Sequence, residues 1–149
     1  MWKEAPGSDF FASVEKELGA LPFVAEDLGD IDETVLGLRD QFHLPGMKVL
    51  QFAFGEDLPQ SNYIPHNYAS NFIVYTGTHD NNTTRGWFNK ETTGAMKARI
   101  EAYVGKALSS AEIHIELARL SYTTVADIVI FPLQDVLGLD DKSRMSTPA

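Results

Sequence analysis

The chain has 149 residues, of which 44% are apolar, and a formal net charge of -9. This length suits one domain with a sizeable core, and the apolar content excludes a disordered protein. The charge argues against nucleic-acid and membrane-surface partners, because a surface of this sign repels phosphate groups and anionic lipids. The absence of cysteine excludes disulfides and thiol chemistry. No stretch is long enough to span a bilayer and the first residues lack a signal-peptide pattern, so we expect a cytoplasmic protein.

The N-terminal part of the sequence predicts a helix followed by a strand. Ser8 is expected to cap a helix whose apolar residues recur at helical spacing, and Gly19 is a plausible end for it. Residues 21–25 form a short apolar run, which we interpret as a buried strand. Two acids, Glu26 and Asp27, follow this run directly, so both are predicted to lie at the end of the strand.

A second helix and a second strand are predicted next. Asp30 and Glu33 resemble a capping box for a helix that ends near His43. The run MKVLQFAF, residues 47–54, is typical of a buried strand. Residues 55–70 show no clean period and contain several turn-forming residues, so we expect a long loop, and loops of this size often line functional sites.

The central prediction concerns residues 72–87, FIVYTGTHDNNTTRGW. The apolar β-branched and aromatic run at 72–75 is typical of a buried parallel strand, and it breaks at Gly77 into a polar cluster that contains His79 and Asp80. Sites in α/β folds lie where parallel strands end. We therefore expect His79 and Asp80 to lie at such a site.

The remaining sequence predicts helices at about 91–104 and 110–122 and a buried strand at 125–131. Four short strands alternating with helices predict an α/β fold with a parallel sheet. A complete (β/α)8 TIM barrel takes about 250 residues, so the chain is expected to form part of one, about half, although an open four-stranded sheet is an alternative. No linker divides residues 1–149, so one domain is expected. Half a barrel has unpaired edges, which predicts pairing with a missing half or self-association.

Glu26 and Asp80 are the candidate catalytic pair. They follow different predicted strands, and parallel strands are the arrangement that brings together acids distant in sequence. Glycoside chemistry needs an acid to protonate the leaving oxygen and carboxylates near a cationic transition state, about 5 Å apart for the acid and nucleophile of retaining enzymes. Acids at strand ends also cap helices, so spacing alone leaves a structural role open for both residues.

Long motifs in the chain resemble one enzyme family. They are VAEDLG at 24–29, LPGMKVLQFAF at 44–54, IPHNY at 64–68 and YTGTHDNNTTRGW at 75–87, together with WKEAPG at the start and QDVLGLDDKSRM at 134–145. The chain is similar over nearly its whole length to the 4-α-glucanotransferases, also called amylomaltases or disproportionating enzymes, which form glycoside hydrolase family 77. The resemblance implies retaining transfer of α-1,4-glucan segments on a barrel of the α-amylase type.

The resemblance also implies roles for individual residues. Glu26 matches the family's general acid/base, which protonates the departing oxygen and later takes a proton from the acceptor sugar. Asp80 matches the transition-state stabiliser, and His79 matches a histidine that contacts the sugar. Within the IPHNY motif, His66 and Asn67 are candidate substrate contacts, although His66 can equally stabilise the loop.

Aromatic residues are further candidates for sugar binding. Trp87 is predicted to stack on a glucose ring, as are Phe54, Tyr63 and Tyr68, but packing in the core or in the loop is the alternative for each. No cofactor is expected. A metal site formed by His66, His79 and Asp80 is only a weak signal, because the spacing matches no common ligand set.

The resemblance covers the C-terminal half of the family's catalytic domain, and no residue of the chain matches the nucleophilic aspartate. The isolated chain is therefore expected to be inactive on maltooligosaccharides, the implied substrates. Ser146 stands where the family usually has an asparagine that contacts sugar, which puts one substrate contact in doubt. The alternatives are a non-catalytic module that binds α-glucan or pairs with a partner, and an amylase-like hydrolase that transfers to water.

Overall fold

The computed structural model of the chain describes residues 5–147, and residues 1–4, which contain half of the opening motif, lie outside it with residues 148–149. The chain divides into two compact units, Met1–Met47 and Lys48–Ala149. The first carries Glu26 and the second carries Asp80, so the two predicted catalytic acids belong to different units.

The N-terminal unit contains helix α1, Gly7–Leu18, which ends at Gly19 as predicted. Gly19 has a φ of 82°, a backbone conformation that favours glycine. The predicted capping role of Ser8 is wrong, because Pro6 occupies the N-cap position and Ser8 lies within the first turn. The Ser8 hydroxyl donates instead to the side-chain oxygen of Gln41 at 3.5 Å.

Helix α2, Glu33–Gln41, confirms the second predicted helix but starts from a different cap. Asp32, and not Asp30, is the N-cap residue, and its carboxylate accepts hydrogen bonds from the amides of Thr34 at 2.9 Å and Val35 at 3.0 Å. The extended backbone of Asp32 points its carboxylate at these amides, which have no partner within the helix.

Residues 21–25 were predicted as a strand, and this prediction is wrong. The segment has no regular secondary structure. Pro22 has no N–H to donate to a strand ladder, and the amide of Ala25 donates to the carbonyl of Pro45 at 2.8 Å. The apolar run reflects local packing of an irregular segment, and the described residues contain three strands instead of four.

The sheet consists of β1, Gly46–Val49, β2, Phe72–Tyr75, and β3, Ile128–Ile130, in the order β1-β2-β3. Strands β2 and β3 are parallel, with Val74 opposite Val129. The long connection between them contains helices, as expected of a crossover between parallel strands. The α/β class with a parallel sheet is therefore confirmed.

Strand β1 is shorter than predicted. It ends at Val49, and a turn of 3-10 helix, Leu50–Phe52, follows. Leu50 and Phe54 are fully buried. These two apolar residues therefore reflect burial in the core and not a continuous strand, whereas Phe52 between them is 44% exposed. The loop at 55–70 is present as predicted and contains two further 3-10 turns, Leu58–Gln60 and Pro65–Asn67.

Four helices belong to the C-terminal unit: α3, Thr84–Lys90; α4, Gly94–Val104; α5, Ile113–Tyr122; and α6, Leu133–Val136. Helices α4 and α5 confirm the two predicted helices. Helix α3 was missed because its sequence continues the polar cluster after β2. The hydroxyl of Thr83 caps α3 by accepting from the amide of Gly86 at 3.1 Å.

The hydrophobic core of the C-terminal unit lies between the sheet and these helices. Its buried residues include Leu50, Ala53, Phe54, Ile64, Tyr68, Val74, Trp87, Phe88, Ile100, Leu108, Ile113, Leu117 and Leu120. The core backs β2 and therefore gives a firm base to the polar segment that follows this strand.

Strand β3 departs from the predicted burial. Ile128 and Ile130 are 48% and 42% exposed, whereas a fully buried strand was expected. Val129, between them, packs against the core. Because alternate residues of a strand point to opposite faces, one face of β3 contacts the core and the other is exposed.

Candidate functional site

The segment that follows β2 places His79 and Asp80 at the surface. Their side chains are 70% and 60% exposed, and His79 Nε2 lies 3.4 Å from Asp80 Oδ1. Both residues belong to an irregular segment between the end of β2 and the start of α3. An exposed carboxylate beside an imidazole can contact hydroxyl groups of a ligand. The predicted role of this pair in sugar binding stays a prediction.

Ser146 and Arg144 contact this pair directly. Ser146 Oγ lies 2.8 Å from the carbonyl oxygen of His79 and 3.2 Å from Asp80 Oδ1, so its single O–H can donate to either. Arg144 Nη2 donates to the carbonyl of Asp80 at 3.0 Å. The segment at 144–146 therefore fixes the backbone beside Asp80 and leaves most of the Asp80 carboxylate exposed.

A tight turn shapes the segment before Asp80. Asn81 Oδ1 accepts from the amide and from the hydroxyl of Thr78, each at 2.8 Å. Gly77 precedes the turn, and a Cβ atom at this position would lie 2.6 Å from Gln51 Nε2. The THDN motif thus contains one residue for the turn, Asn81, and two residues, His79 and Asp80, that point to solvent.

Asp135 is a buried carboxylate that was not among the site residues predicted from the sequence. It is 4% exposed, and it accepts hydrogen bonds from Thr76 Oγ1 at 2.5 Å and from the amide and hydroxyl of Thr84, both at 2.7 Å. The available signal was its position after a predicted strand, in FPLQD, which is the same pattern that selected Glu26 and Asp80.

Glu26 lies in the N-terminal unit and is exposed. It lines an open, mostly apolar cavity of about 360 Å³ together with residues of α1 and α2. The cavity also includes Phe11, Phe23 and Leu38. Glu26 is therefore accessible, as a general acid/base must be. Its convergence with Asp80 stays a prediction.

Asp27 anchors the segment that carries Glu26. Its side chain is 5% exposed and lies 2.5 Å from Arg39 Nη1, and its second oxygen accepts from the amide of Met47 at 2.7 Å. Of the two adjacent acids, Asp27 thus has a structural role and Glu26 is left free for a ligand. The sequence placed both acids at a strand end without separating these roles.

Trp87 was predicted to stack on sugar, and its burial favours the packing alternative. It is 5% exposed and lies in the core, with its ring centroid 6.4 Å from that of Phe54. Phe54 is fully buried and Tyr68 is 8% exposed, so packing is favoured for these two as well. Burial raises the pKa of the Tyr68 phenol, which donates to the carbonyl of Tyr63 at 2.6 Å.

His66 and Asn67 lie in the second 3-10 turn of the loop at 55–70 and bond to neighbouring protein groups. His66 Nδ1 lies 3.1 Å from the hydroxyl of Tyr103, and Asn67 Nδ2 donates to the carbonyls of Pro59 and Ser61, each at 3.0 Å. These contacts favour a role in stabilising the loop. Substrate binding by the two residues stays a prediction.

Two further observations concern metals and membranes. Among residues 5–147, no group of three or more His, Asp or Glu side chains is arranged to hold a metal ion. Within the same residues, no helix has both the length and the apolar character that crossing a bilayer requires.

The fold and the site together define an α/β protein whose exposed carboxylate and histidine follow a core-backed strand of a parallel sheet, the usual position of enzyme sites in this class. The chain matches, over residues 1–149, the protein family described as 4-alpha-glucanotransferase. The chain belongs to glycoside hydrolase family 77, as the motifs predicted.

Individual relatives agree with this assignment. The chain is 48% identical to the 4-alpha-glucanotransferase of Synechocystis sp. and 43% identical to that of Thermus thermophilus, with 99% of this chain covered in each case. It also superimposes on the amylomaltase of Streptococcus agalactiae, solved in complex with acarbose, with a TM-score of 0.91 and 40% identity over 99% of this chain.

The chain spans less than a third of these relatives. The matched share is 29% of the Synechocystis protein, 30% of the Thermus protein and 30% of the Streptococcus chain. The prediction that the chain is the C-terminal half of the catalytic domain is not supported by these matches.

Proposed function

We propose that this chain is part of a 4-α-glucanotransferase that transfers α-1,4-glucan segments between maltooligosaccharides. The observation that carries the proposal is the match to the Streptococcus amylomaltase, with 40% identity and a TM-score of 0.91 over 99% of this chain. Since that amylomaltase was solved with acarbose, acarbose is a suitable ligand to test here. The sheet is proposed to belong to a (β/α)8 barrel.

Glu26 is proposed as the general acid/base. Its exposed side chain is free of the contacts that hold its neighbour Asp27, so it can move a proton without breaking the local structure. In the first step its carboxyl group protonates the departing glycosidic oxygen. In the second step its carboxylate accepts the proton of the acceptor hydroxyl.

Asp80 is proposed as the stabiliser of the cationic transition state, with His79 as a sugar contact. Ser146 and Arg144 bond to the backbone of this pair, so Asp80 is held in place before substrate binds. A carboxylate that is already oriented stabilises developing positive charge without reorganising. His66, Asn67 and Trp87 remain proposed substrate contacts, and their observed contacts are with protein groups.

The isolated chain is proposed to be inactive. Retaining transfer needs a nucleophile in addition to the acid/base, and no residue of the chain matches the family's nucleophile. The exposed Ile128 and Ile130 side chains of β3 favour pairing with the remaining part of a barrel. A cytoplasmic location stays a prediction from the sequence.

The test uses the intact protein that contains this chain, with maltotriose as substrate. We expect both longer and shorter oligosaccharides as products, and replacement of Glu26 by Gln should lower the transfer rate by about 10²–10⁴-fold. Glu33→Gln, another glutamate of the N-terminal unit, is the matched control and should leave the rate unchanged.

Three outcomes would change the proposal. Products that are only shorter than maltotriose would indicate a hydrolase. Full activity of Glu26→Gln would refute the role of Glu26. Binding of acarbose by an intact protein without any transfer would favour the alternative of a non-catalytic glucan-binding module.

A further inference from the structure

We propose that Asp135 is a positioning residue for Asp80, acting by fixing both ends of the segment that carries His79 and Asp80. The proposal rests on the proposed glucanotransferase function, because Asp80 is the residue whose placement matters. Asp135 is not offered as a catalytic residue. It is 4% exposed, and its contacts are with protein groups.

The contacts of Asp135 join two points of the chain. Thr76 follows the last residue of β2, and Thr84 is the first residue of α3. The segment that carries His79 and Asp80 therefore runs between these two threonines. Asp135 accepts one hydrogen bond from Thr76 at 2.5 Å and two from Thr84, both at 2.7 Å. A buried carboxylate with three donors forms short, strong hydrogen bonds, so the distance between the two ends is well defined.

Gln51 supports the same two ends from another element. Its amide donates to the carbonyl of Thr76 at 3.3 Å, and its side-chain amide donates to the carbonyl of Asn82 at 2.9 Å. Gly77 permits this close approach, since a Cβ atom there would lie 2.6 Å from Gln51 Nε2. The ends of the segment are therefore buried and bonded, whereas its middle carries the exposed Asp80.

Asp135 follows a different strand from the segment that it holds. Asp135 belongs to α6, which starts three residues after the end of β3, whereas the segment it bonds follows β2. Strands β2 and β3 are neighbours in the sheet. Asp135, which follows β3, thus fixes the position of Asp80, which follows the neighbouring strand β2.

A purely structural role for Asp135 makes a different prediction. If Asp135 only stabilised the fold, its loss would lower the unfolding temperature and leave the turnover of the folded fraction unchanged. If it positions Asp80, the folded variant should lose turnover, because small displacements of a catalytic group cost up to about 10²-fold in rate.

The experiment compares Asp135→Asn and Asp135→Ala with Glu116→Gln in the intact protein. Glu116 is a matched control, because it is also a buried carboxylate, 6% exposed, but it bonds to Lys106 and Arg119 and not to the 76–84 segment. We expect Asp135→Ala to lower kcat by about 10–100-fold with KM changed by less than about threefold. Asp135→Asn should recover part of kcat, and Glu116→Gln should leave kcat unchanged.

Two threonine variants keep the test decisive if Asp135→Ala does not fold. Thr76→Val and Thr84→Val each remove one hydroxyl donor to Asp135 at nearly constant volume, and each should lower kcat more than KM changes. Each should also have a smaller effect in an Asp135→Asn background than in the parent, because the residues act through one another. A kcat within twofold of the parent for the folded Asp135 and threonine variants would overturn the proposal.

Hydrogen exchange separates a failure of this proposal from a failure of the proposed function. The amide of Thr84 donates to Asp135 Oδ1, so in Asp135→Ala, which removes this acceptor, its exchange should accelerate, by at least about tenfold, together with the amides of residues 78–82. This result is measurable in a protein without transferase activity. Unchanged exchange would show that Asp135 does not fix the segment, whatever the reaction.

Discussion

The two units carry their predicted catalytic acids on different kinds of support. In the N-terminal unit, neither α1 nor α2 contains a buried residue, and Glu26 lies on an irregular segment. In the C-terminal unit, Asp80 follows a strand backed by a core that includes fully buried residues such as Phe54 and Leu117. An exposed carboxylate can therefore be supported either by a packed core or by a few polar contacts.

This difference in support predicts that the two units differ in local stability. A segment held by few buried contacts opens more readily than one that follows a core strand. The N-terminal unit should therefore depend on single polar anchors such as Asp27, and the C-terminal unit should depend on apolar packing.

The largest expected effect is the loss of core packing in the C-terminal unit. Phe54→Ala should lower the free energy of unfolding by about 3–5 kcal/mol, because the side chain is fully buried and contacts the rings of Trp87 and Tyr103. Phe10→Ala, in α1, is the matched control: with the ring 55% exposed, it should cost less than about 1 kcal/mol. Urea unfolding of the intact protein measures both, and equal losses would contradict the comparison.

A smaller, local effect is expected at Asp27. Asp27→Ala leaves the amide of Met47 without its acceptor and Arg39 without one of its carboxylates, and it should cost about 2 kcal/mol. Amides near Glu26 should exchange faster than in the parent. Asp40→Ala removes the other carboxylate of Arg39, but Asp40 is 66% exposed, so its loss should cost below about 1 kcal/mol. An Asp40 variant as unstable as the Asp27 variant would refute the anchoring role.

The smallest effect concerns pH and His114. Burial lowers the pKa of His114, the positive charge of Arg85 on α3 lowers it further, and Asp135 on α6 opposes the shift. The folded protein binds a proton at His114 less readily than the unfolded chain does. The contribution of neutral His114 to the free energy of unfolding is therefore fully present above the unfolded pKa of about 6.5, and it is lost as the pH falls below that value.

His114→Gln should therefore reduce the loss of stability on acidification. The measurement is the unfolding temperature of parent and variant at pH 7.5 and at pH 5.5, and we expect the smaller difference in the variant. An equal difference in the two proteins would show that His114 does not contribute to acid sensitivity. Gly138 packs against the His114 ring, so the comparison at pH 7.5 also reports the packing cost of the substitution.

The sequence predicted the elements whose local signals agree with their tertiary environment. Strand β2 was predicted with its observed bounds, since a β-branched and aromatic run is here also a buried one. The end of α1 at Gly19 was predicted because glycine readily adopts a positive φ. The family was predicted from long motifs, and the match over residues 1–149 confirms it.

Other predictions failed where an apolar run has more than one physical explanation. Leu50, Ala53 and Phe54 are apolar because they enter the core, and residues 21–25 are apolar without forming a strand. Strand β3 has the composition of a buried strand, yet Ile128 is 48% exposed. Burial of this kind depends on neighbours that a sequence pattern does not identify.

The candidate site was predicted in its exposed part and missed in its buried part. His79 and Asp80 were selected because they lie a few residues after the end of β2, and their role stays a prediction. Asp135 was missed because its partners, Thr76 and Thr84, are 59 and 51 residues away in the chain. Trp87 was selected for its chemistry, but its 5% exposure is a tertiary property.

The loop at 55–70 has a practical consequence for protein engineering. Asn67 ties the carbonyls of Pro59 and Ser61 together, so one part of this loop is held by a side chain of the loop itself. A mutational library built on this loop should keep Asn67 and diversify the exposed Asn62 instead. A graft of the loop into another scaffold would likewise need to include Pro59, Ser61 and Asn67 together, because Asn67 donates to the carbonyls of the other two residues.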